Sequence, residues 1–221
     1  MAPIESEGHY FAERPDARSR PGSVLLNLPD LSLTLLTDRG VFGRQQVDPG
    51  TKLLLLHGPE PKTGDRHLLD LGCGYGPIAV VLGLRNPEAT VWAVDINQRA
   101  RELCRQNAEA TGATNVRVID PHGLPADVTL DRIWSNPPIR IGKGALRRLL
   151  LDWFGRLSPG GSAHLVVQKH LGSDSLHRWL DQSGHPTSRR RSQSAYRLLD
   201  VQAARAEGDC GPESRPRKDG S

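Results

Sequence analysis

One short segment of this 221-residue chain carries residues that could hold a planar amino group for chemistry. Asn136, Pro137 and Pro138 stand in the string SNPPI, directly after a predicted strand. An amino nitrogen on a ring is a poor nucleophile because its lone pair is delocalised. Two acceptors aimed at its hydrogens, the Asn136 side-chain oxygen and the Pro137 carbonyl, would favour a more pyramidal nitrogen. The prolines stiffen the turn, so the segment predicts catalysis by positioning of the amino group. The alternative is an ordinary loop with two prolines.

A glycine-rich loop lies earlier, in the string LDLGCGYGP at residues 69–77. Asp70 closes a predicted strand, and Gly72 and Gly74 let a ligand approach the backbone and its free N–H groups. A tight strand-to-helix turn is the structural alternative. A dinucleotide site is the other, but its fingerprint needs glycine where Pro77 stands. A P-loop would need a Lys-Ser or Lys-Thr pair, which does not follow.

A second acid, Asp95, ends the next predicted strand, 25 residues after Asp70. A carboxylate there can accept hydrogen bonds from both hydroxyls of a ribose, and Ile96 follows it in the same candidate site. The alternative is a cap for the helix that begins near Asn97. His, Cys, Asp and Glu do not cluster with ligand spacing, so we expect no metal.

Elements that would position these residues follow from the spacing of apolar residues. Strands are predicted at 67–71, 90–94, 116–119, 130–135 and 162–167, and helices at 77–85, 97–111, 144–156 and 173–183. Buried strands that alternate with helices indicate an α/β fold, a mostly parallel sheet with helices on both faces. Residues 187–201 predict two further strands. No helix separates them, so the last of the seven strands should enter antiparallel.

The chain before residue 67 has a different pattern. Two apolar runs, 23–28 and 31–37, flank Pro29-Asp30 and predict a β-hairpin. A short helix should run from Pro49 to about Leu56, with Asp48 as its cap. We therefore divide the chain into four parts: a loose N-terminal arm at 1–22, a hairpin and helix extension at 23–66, a core at 67–201 and a disordered tail at 202–221.

Composition limits the class of protein. Hydrophobic residues make up 37% and charged residues 24%, typical of a folded domain. No apolar run reaches the roughly 18–20 residues that span a bilayer. Acidic residues precede any apolar stretch at the N-terminus, unlike in a signal peptide, and the three cysteines are widely spaced. Both features predict a cytoplasmic protein with reduced thiols. Residues 140–200 hold 11 Lys and Arg against 4 Asp and Glu, including the run Arg189–Arg191, which would suit nucleic-acid phosphate.

Several of these segments together resemble a known family. Residues 69–76, Asp95 and 135–139 look like a class I S-adenosylmethionine-dependent methyltransferase of the amino-methylating branch. The string SNPPIRIGK at 135–143 resembles the 16S rRNA guanine-N2 methyltransferase family and its single-domain relatives, as do residues 9–11 and 37–55. The resemblance covers about residues 9–200. It implies a Rossmann-like sheet, S-adenosylmethionine as cofactor, guanine N2 in ribosomal RNA as leading target, and a monomer that meets ribosomal RNA or a pre-ribosomal particle.

The resemblance also assigns roles to residues. By motif position, the donor would be held by Asp70, Gly72, Gly74, Asp95 and Ile96. The amine would be held by Asn136, Pro137 and Pro138. The stretch at 37–55, which we call the pre-core segment, would lie near the donor and includes Gly40–Phe42 and Thr51. Alignment of VRVIDPHG places His122 where many relatives contact the adenine with Asp or Asn, while Asp120 precedes it by two positions.

The other departure lies after the second proline. Many relatives have an aromatic residue where Ile139 stands, so base stacking would be aliphatic or come from elsewhere, such as Phe42 or Tyr10. Arg140 and Lys143 follow and would meet RNA phosphate.

Four other functions stay open. The same Asn-Pro-Pro chemistry serves a protein glutamine N-methyltransferase of the release-factor type, although that class usually carries Tyr where Ile139 stands. Another RNA or DNA amino methyltransferase, for example on adenine N6, is the next alternative. A non-catalytic nucleic-acid binder would not need intact donor and amine motifs. A nicotinamide oxidoreductase conflicts with Pro77 and leaves Asn136 without a role.

Overall fold

The computed structural model describes residues 18–204, which contain nine strands and five α-helices. The strands are β1 Gly22–Asn27, β2 Ser32–Thr37, β3 His67–Leu71, β4 Thr90–Val94, β5 Val116–Ile119, β6 Leu130–Ser135, β7 Leu157–Gln168, β8 Thr187–Gln193 and β9 Tyr196–Gln202. The helices are α1 Pro49–His57, α2 Pro77–Arg85, α3 Gln98–Thr111, α4 Lys143–Phe154 and α5 Ser173–Gln182.

Seven strands form one sheet in the order β5-β4-β3-β6-β7-β9-β8. β3 through β7 pair in parallel, and β9 pairs antiparallel with both β7 and β8. β1 and β2 form a separate antiparallel hairpin. The predicted fold class is confirmed, including the antiparallel last strand and the N-terminal hairpin.

The two faces of the sheet carry separate hydrophobic cores. Along β3, Leu68 packs into one core and Leu69 and Leu71 into the other, because successive side chains of a strand point to opposite faces. The first core receives α1, α2, α3 and the hairpin, and the second receives α4 and α5. Burial on both faces explains why these strands could be predicted from continuous apolar runs.

Some boundaries differ from the sequence prediction. β7 begins at Leu157, five residues before the predicted start, because Leu157 pairs with Leu130 ahead of a bulge in the ladder. Gly22 belongs to β1 and Gln202 to β9, although each falls inside a segment predicted to be loose. The rest of the predicted tail, from 205, and residues 1–17 of the predicted arm, with the motif at 9–11, Tyr10 and Cys210, lie outside the described residues.

Two buried asparagines of α3 fix the chain that precedes the core. Asn107 donates to the Leu36 carbonyl at 3.0 Å and accepts from the Leu36 N–H at 2.7 Å, so it docks the edge of β2. Asn97 caps α3 and donates to the Gly40 carbonyl at 2.8 Å. The segment between the hairpin and α1 is therefore attached to the helix that follows β4.

A buried polar chain crosses β6, β7 and β9 near the amino-terminal end of β6. Arg132 donates to Ser162 Oγ at 2.8 Å, Ser162 Oγ lies 3.1 Å from His164 Nε2, and His164 Nδ1 lies 2.9 Å from Asp200, which also accepts from Arg190. Because Asp200 only accepts, the imidazole hydrogen sits on Nδ1 and Nε2 accepts from serine. This arrangement needs a neutral His164, which is 3% exposed.

The stability of the protein should therefore depend on pH through His164. Burial lowers the pKa of His164 below 6.5, although the hydrogen bond with Asp200 opposes the shift. The unfolded chain then takes up this proton at a higher pH than the folded one. The contribution of His164 to the free energy of unfolding should be fully present above about pH 6.5 and fall as the pH is lowered from there to the folded-state pKa, by up to about 1.4 kcal/mol per pH unit. The raised pKa values of Asp70 and Asp95 act in the opposite direction, so this contribution is measured as the difference between proteins with and without the imidazole.

Urea denaturation between pH 7.5 and 5 measures this slope. His164→Asn keeps a donor toward Asp200 without a titratable ring, and it should remove the His164 contribution from the slope, so that this variant loses less stability on acidification than the parent does, despite a lower absolute stability. Equal slopes for the two proteins would place the linked proton on another group.

Candidate active site

A cavity of about 420 Å³ opens at the carboxyl ends of β3, β4 and β6. This is the edge at which open α/β sheets bind ligands, and the volume lies in the range of small-molecule sites. The glycine loop, the end of β4, the Asn-Pro-Pro turn and the pre-core segment all contribute to its wall. Four sequence features that are distant in the chain therefore meet at one site.

The glycine loop lies on the cavity wall with its backbone held from behind. Gly72 and Gly74 have φ values of +78° and +55°, and a Cβ built at either would meet no atom within 4 Å. The N–H groups of Gly72 and Cys73 donate to the Val94 carbonyl at 2.8 and 2.9 Å. These two N–H groups are therefore used within the protein and are not available to a ligand. The amides of the loop anchor it to β4, and its two glycines leave open space beside the backbone.

Asp95 connects the glycine loop to the start of α3. Its Oδ2 accepts from the Gly74 N–H at 2.9 Å and its Oδ1 from the Asn97 N–H at 2.8 Å. Burial raises the pKa of Asp95 above its ordinary value, and these two N–H groups and Arg101 oppose that shift. Both oxygens keep lone pairs toward the cavity, so Asp95 can also accept ligand hydroxyls. Ile96 lies beside it, half exposed on the same wall.

Asp70 lies beneath the loop and is not part of the cavity wall. Its side chain is fully buried and accepts from the Ala79 N–H at 2.9 Å, in the first turn of α2. Burial, with a contribution from the charge of Asp95, raises the pKa of Asp70 to about 8. The structure thus places Asp70 where it supports the loop from α2, rather than in contact with a ligand in the cavity.

Asn136 lies at the end of β6, partly exposed to the cavity. Its Nδ2 donates to Asp48 Oδ2 at 2.9 Å and to Thr51 Oγ1 at 3.0 Å. Its Oδ1 accepts no hydrogen bond from any residue between 18 and 204. The carboxamide thus presents an oxygen without a partner from the described chain, as an amine-holding residue requires.

The two prolines build a tight turn beside this oxygen. Pro138 has φ −73° and ψ 75°, and the Ile139 N–H donates to the Pro137 carbonyl at 2.8 Å, which together define an inverse γ-turn. One lone pair of the Pro137 oxygen is therefore used within the turn, and the second is available to another donor. Pro137, Pro138 and Ile139 all line the cavity.

Besides Asp70, two predicted site residues lie off the cavity wall, His122 and Lys143. His122 is exposed and does not line the cavity, and its N–H donates to Asp120 Oδ1 at 2.8 Å. From that loop Pro121 reaches the wall instead. Lys143 is exposed at the start of α4, away from the wall, whereas Arg140 is exposed and lines it.

The arginine run lies on β8 at the edge of the sheet, and each member has an intramolecular partner. Arg189 pairs with Asp174, Arg190 with Asp200, and Arg191 donates to Gln193. Two of the three positive charges are thus matched by acids, which reduces the field that this strand offers to phosphate.

Site residues that the sequence did not indicate come mainly from an apolar wall. Ile141, Leu149 and Trp153 of the segment after the turn line the cavity. Phe42, which the resemblance did indicate, lines the same cavity and is 50% exposed. Leu149 and Trp153 belong to the apolar stripe of α4, a pattern that predicts core rather than ligand contact. Asp48 is the other addition, because a helix cap was its only predicted role.

Among residues 18–204, no group of three or more His, Cys, Asp and Glu side chains could hold a metal ion. In the same range, every helix is too short or too polar to cross a membrane.

Comparison with known proteins gives a family match over most of the chain. The model of the family described as methyltransferase small domain matches residues 32–199. The protein YbxB of Bacillus subtilis is 33% identical over 177 residues, covering 79% of this chain and 88% of its own.

Other relatives are longer than this chain. The ribosomal RNA small subunit methyltransferase C of Shewanella halifaxensis is 35% identical over 66% of this chain and 43% of its own, so the chain spans less than half of it. The structure of the 16S rRNA N2 methyltransferase of T. thermophilus, solved with AdoMet and guanosine, superposes with a TM-score of 0.69 at 24% identity over 84% of this chain and 51% of its own.

Proposed function

The chain belongs to the methyltransferase small domain family, and from that premise we propose that it methylates an exocyclic amino group of ribosomal RNA, guanine N2, with S-adenosylmethionine as donor. The observation that carries this proposal is the common cavity of the Asn-Pro-Pro turn, the open glycine loop and Asp95. The two oxygens that could accept from an amine and the carboxylate that could bind a ribose thus line the same cavity.

The residues present fit the donor. The cavity beside Gly72 and Gly74 is open where any other residue would place a Cβ, and a backbone at φ +78° and +55° favours glycine. Asp95 would accept the ribose hydroxyls with lone pairs that its two backbone contacts leave open. S-adenosylmethionine supplies an electrophilic methyl group on a sulfonium. The adenine side would meet Ile96 and Pro121 rather than His122, which is off the wall.

The acceptor amine would be held by Asn136 and Pro137. Asn136 Oδ1 and the second lone pair of the Pro137 carbonyl can each accept one hydrogen of the same amino group. That contact fixes the nitrogen and directs its lone pair at the methyl carbon. No strong base is required, because the nitrogen becomes acidic once it is methylated and can release a proton to solvent.

Guanine in ribosomal RNA is favoured by the relatives and by the site itself. Relatives named for small and large subunit ribosomal RNA match 66% and 73% of the chain at 35% and 33% identity. Phe42 and Ile139 offer apolar surface on the cavity wall for a base, and the exposed Arg140 on that wall can meet a phosphate. Residues 140–200 carry the surplus of seven positive charges that such a partner needs.

Incubation of the purified protein with tritiated donor and total RNA from a strain that lacks this gene tests the proposal. Nucleoside analysis should recover the label as N2-methylguanosine. RNA from the parent strain, where the position is already modified, should accept little label.

Label in N6-methyladenosine would replace guanine by adenine. In a parallel assay with the protein extract of the same strain in place of RNA, label in methylglutamine would favour the release-factor alternative. Either result would overturn the choice of guanine N2.

A further inference from the structure

Asn136 is held by two residues at the start of helix α1, Asp48 and Thr51, which line the same cavity and precede it by 88 and 85 residues. Asp48 Oδ2 and Thr51 Oγ1 accept from its Nδ2 at 2.9 and 3.0 Å. A primary amide has two N–H groups, and these two contacts match both of them. We call Asp48 and Thr51 the α1 clamp.

The chemistry of the clamp dictates which way the carboxamide faces. An ionised carboxylate can only accept, so the amide must turn its nitrogen toward Asp48 and its oxygen away. The opposite rotamer would set Oδ1 against that carboxylate and lose the hydrogen bond to Asp48, and only the Thr51 hydroxyl could then donate to Oδ1. The hydrogen bonds that the two N–H groups donate also polarise the amide, which makes its oxygen a better acceptor.

The clamp is itself fixed by the start of α1. Asp48 caps the helix by accepting from the Thr51 N–H at 3.1 Å, and Pro49 occupies the first turn. A Cβ at Gly50 would lie 2.6 Å from the Tyr196 ring, so this turn packs closely on β9. Thr51 is buried. The acceptors therefore cannot drift with a loop.

We propose that Asp48 and Thr51 are positioning residues that hold the Asn136 carboxamide with its oxygen toward the acceptor amine. This inference rests on the proposed function for its kinetic consequence, but the orientation itself is a property of the protein alone. The sequence prediction of Asp48 as a helix cap accounts for its contact with the Thr51 N–H but not for its contact with Asn136.

The test uses variants that separate the cap from the clamp. Asp48→Ser keeps a good N-cap residue, but its hydroxyl can donate as well as accept and no longer dictates the amide orientation. Thr51→Val removes the second acceptor, and Thr51→Ser retains it. Asp127→Asn, an exposed acid that does not line the cavity, is the matched control for the loss of one negative charge.

Asp48→Ser should lower kcat on the order of tenfold while the donor dissociation constant and the melting temperature stay close to those of the parent, because only alignment is lost. Thr51→Val should lose more activity than Thr51→Ser. In the Asn136→Ala background, Asp48→Ser should cost less than about twofold, since a residue that acts through Asn136 has nothing left to position.

The second readout needs no RNA. In ¹⁵N NMR spectra, the side-chain amide pair that disappears in Asn136→Ala should exchange slowly with water in the parent protein and rapidly in Asp48→Ser. A rapidly exchanging pair in the parent, an unchanged kcat in Asp48→Ser, or an equal loss with and without Asn136 would each overturn the clamp. A protected amide in a protein that methylates no RNA would support the clamp and overturn the proposed function alone.

Discussion

Replacement of Asn136 by alanine should lower methyl transfer by about 10²- to 10³-fold, the range seen when one aligned polar group is removed from an active site. The reason is that Asn136 Oδ1 has no partner among residues 18–204 and lies on the cavity wall. The Pro137 carbonyl alone cannot fix a group with two hydrogens, because one of its lone pairs is used by the Ile139 N–H.

Affinity for the donor should change little in the same variant, since the donor contacts come from the glycine loop and Asp95. Calorimetry with S-adenosylmethionine measures that affinity, and transfer of tritium to RNA measures the rate. Asn27→Ala on the exposed hairpin is the matched control and should leave both quantities unchanged. If donor binding were lost together with transfer in a folded Asn136→Ala protein, Asn136 would belong to the donor site.

The fold could be predicted because its parallel strands are buried on both faces. β3, β4, β5 and β6 have the predicted bounds, since each is rich in apolar residues and bounded by turn residues. The predicted β7 is too short for the opposite reason. Its first residues, 157–161, are LSPGG and pair ahead of a bulge, so no apolar run marks them.

Asp70 shows why a motif position does not settle a contact. Strand alternation already separates Asp70 from Leu69 and Leu71, which pack into the core of the other face. Its side chain therefore points to the α2 side, where it accepts from Ala79. Asp95 stands one residue past the end of β4 and is free of that alternation, so it can turn its carboxylate to the loop and the cavity.

Asp48 shows the limit of local reading. Asp before Pro at a helix start predicts a cap, and the cap is present. Its contact with Asn136 spans 88 residues of sequence and depends on how α1 packs against β7 and β9. No periodicity or motif within either segment encodes that distance, so the clamp could be found only in the folded chain.

The second large effect should come from Asp95. Asp95→Ala should raise the dissociation constant for S-adenosylmethionine by about 10- to 100-fold, because hydrogen bonds to a charged group are worth about 1.5–3 kcal/mol. Calorimetry measures this directly. The variant also removes the acceptors for the Gly74 and Asn97 N–H groups, so weaker binding alone could come from a distorted loop.

A pair of ligands separates the two causes. S-adenosylhomocysteine and an analogue without the two ribose hydroxyls should differ by about tenfold or more in affinity for the parent protein, and by less than about threefold for Asp95→Ala. If Asp95 binds the ribose, its loss should weaken only the ligand that has the hydroxyls. A carboxylate that merely shapes the loop would affect both ligands alike, and an equal discrimination in the two proteins would therefore remove Asp95 from direct contact with the donor.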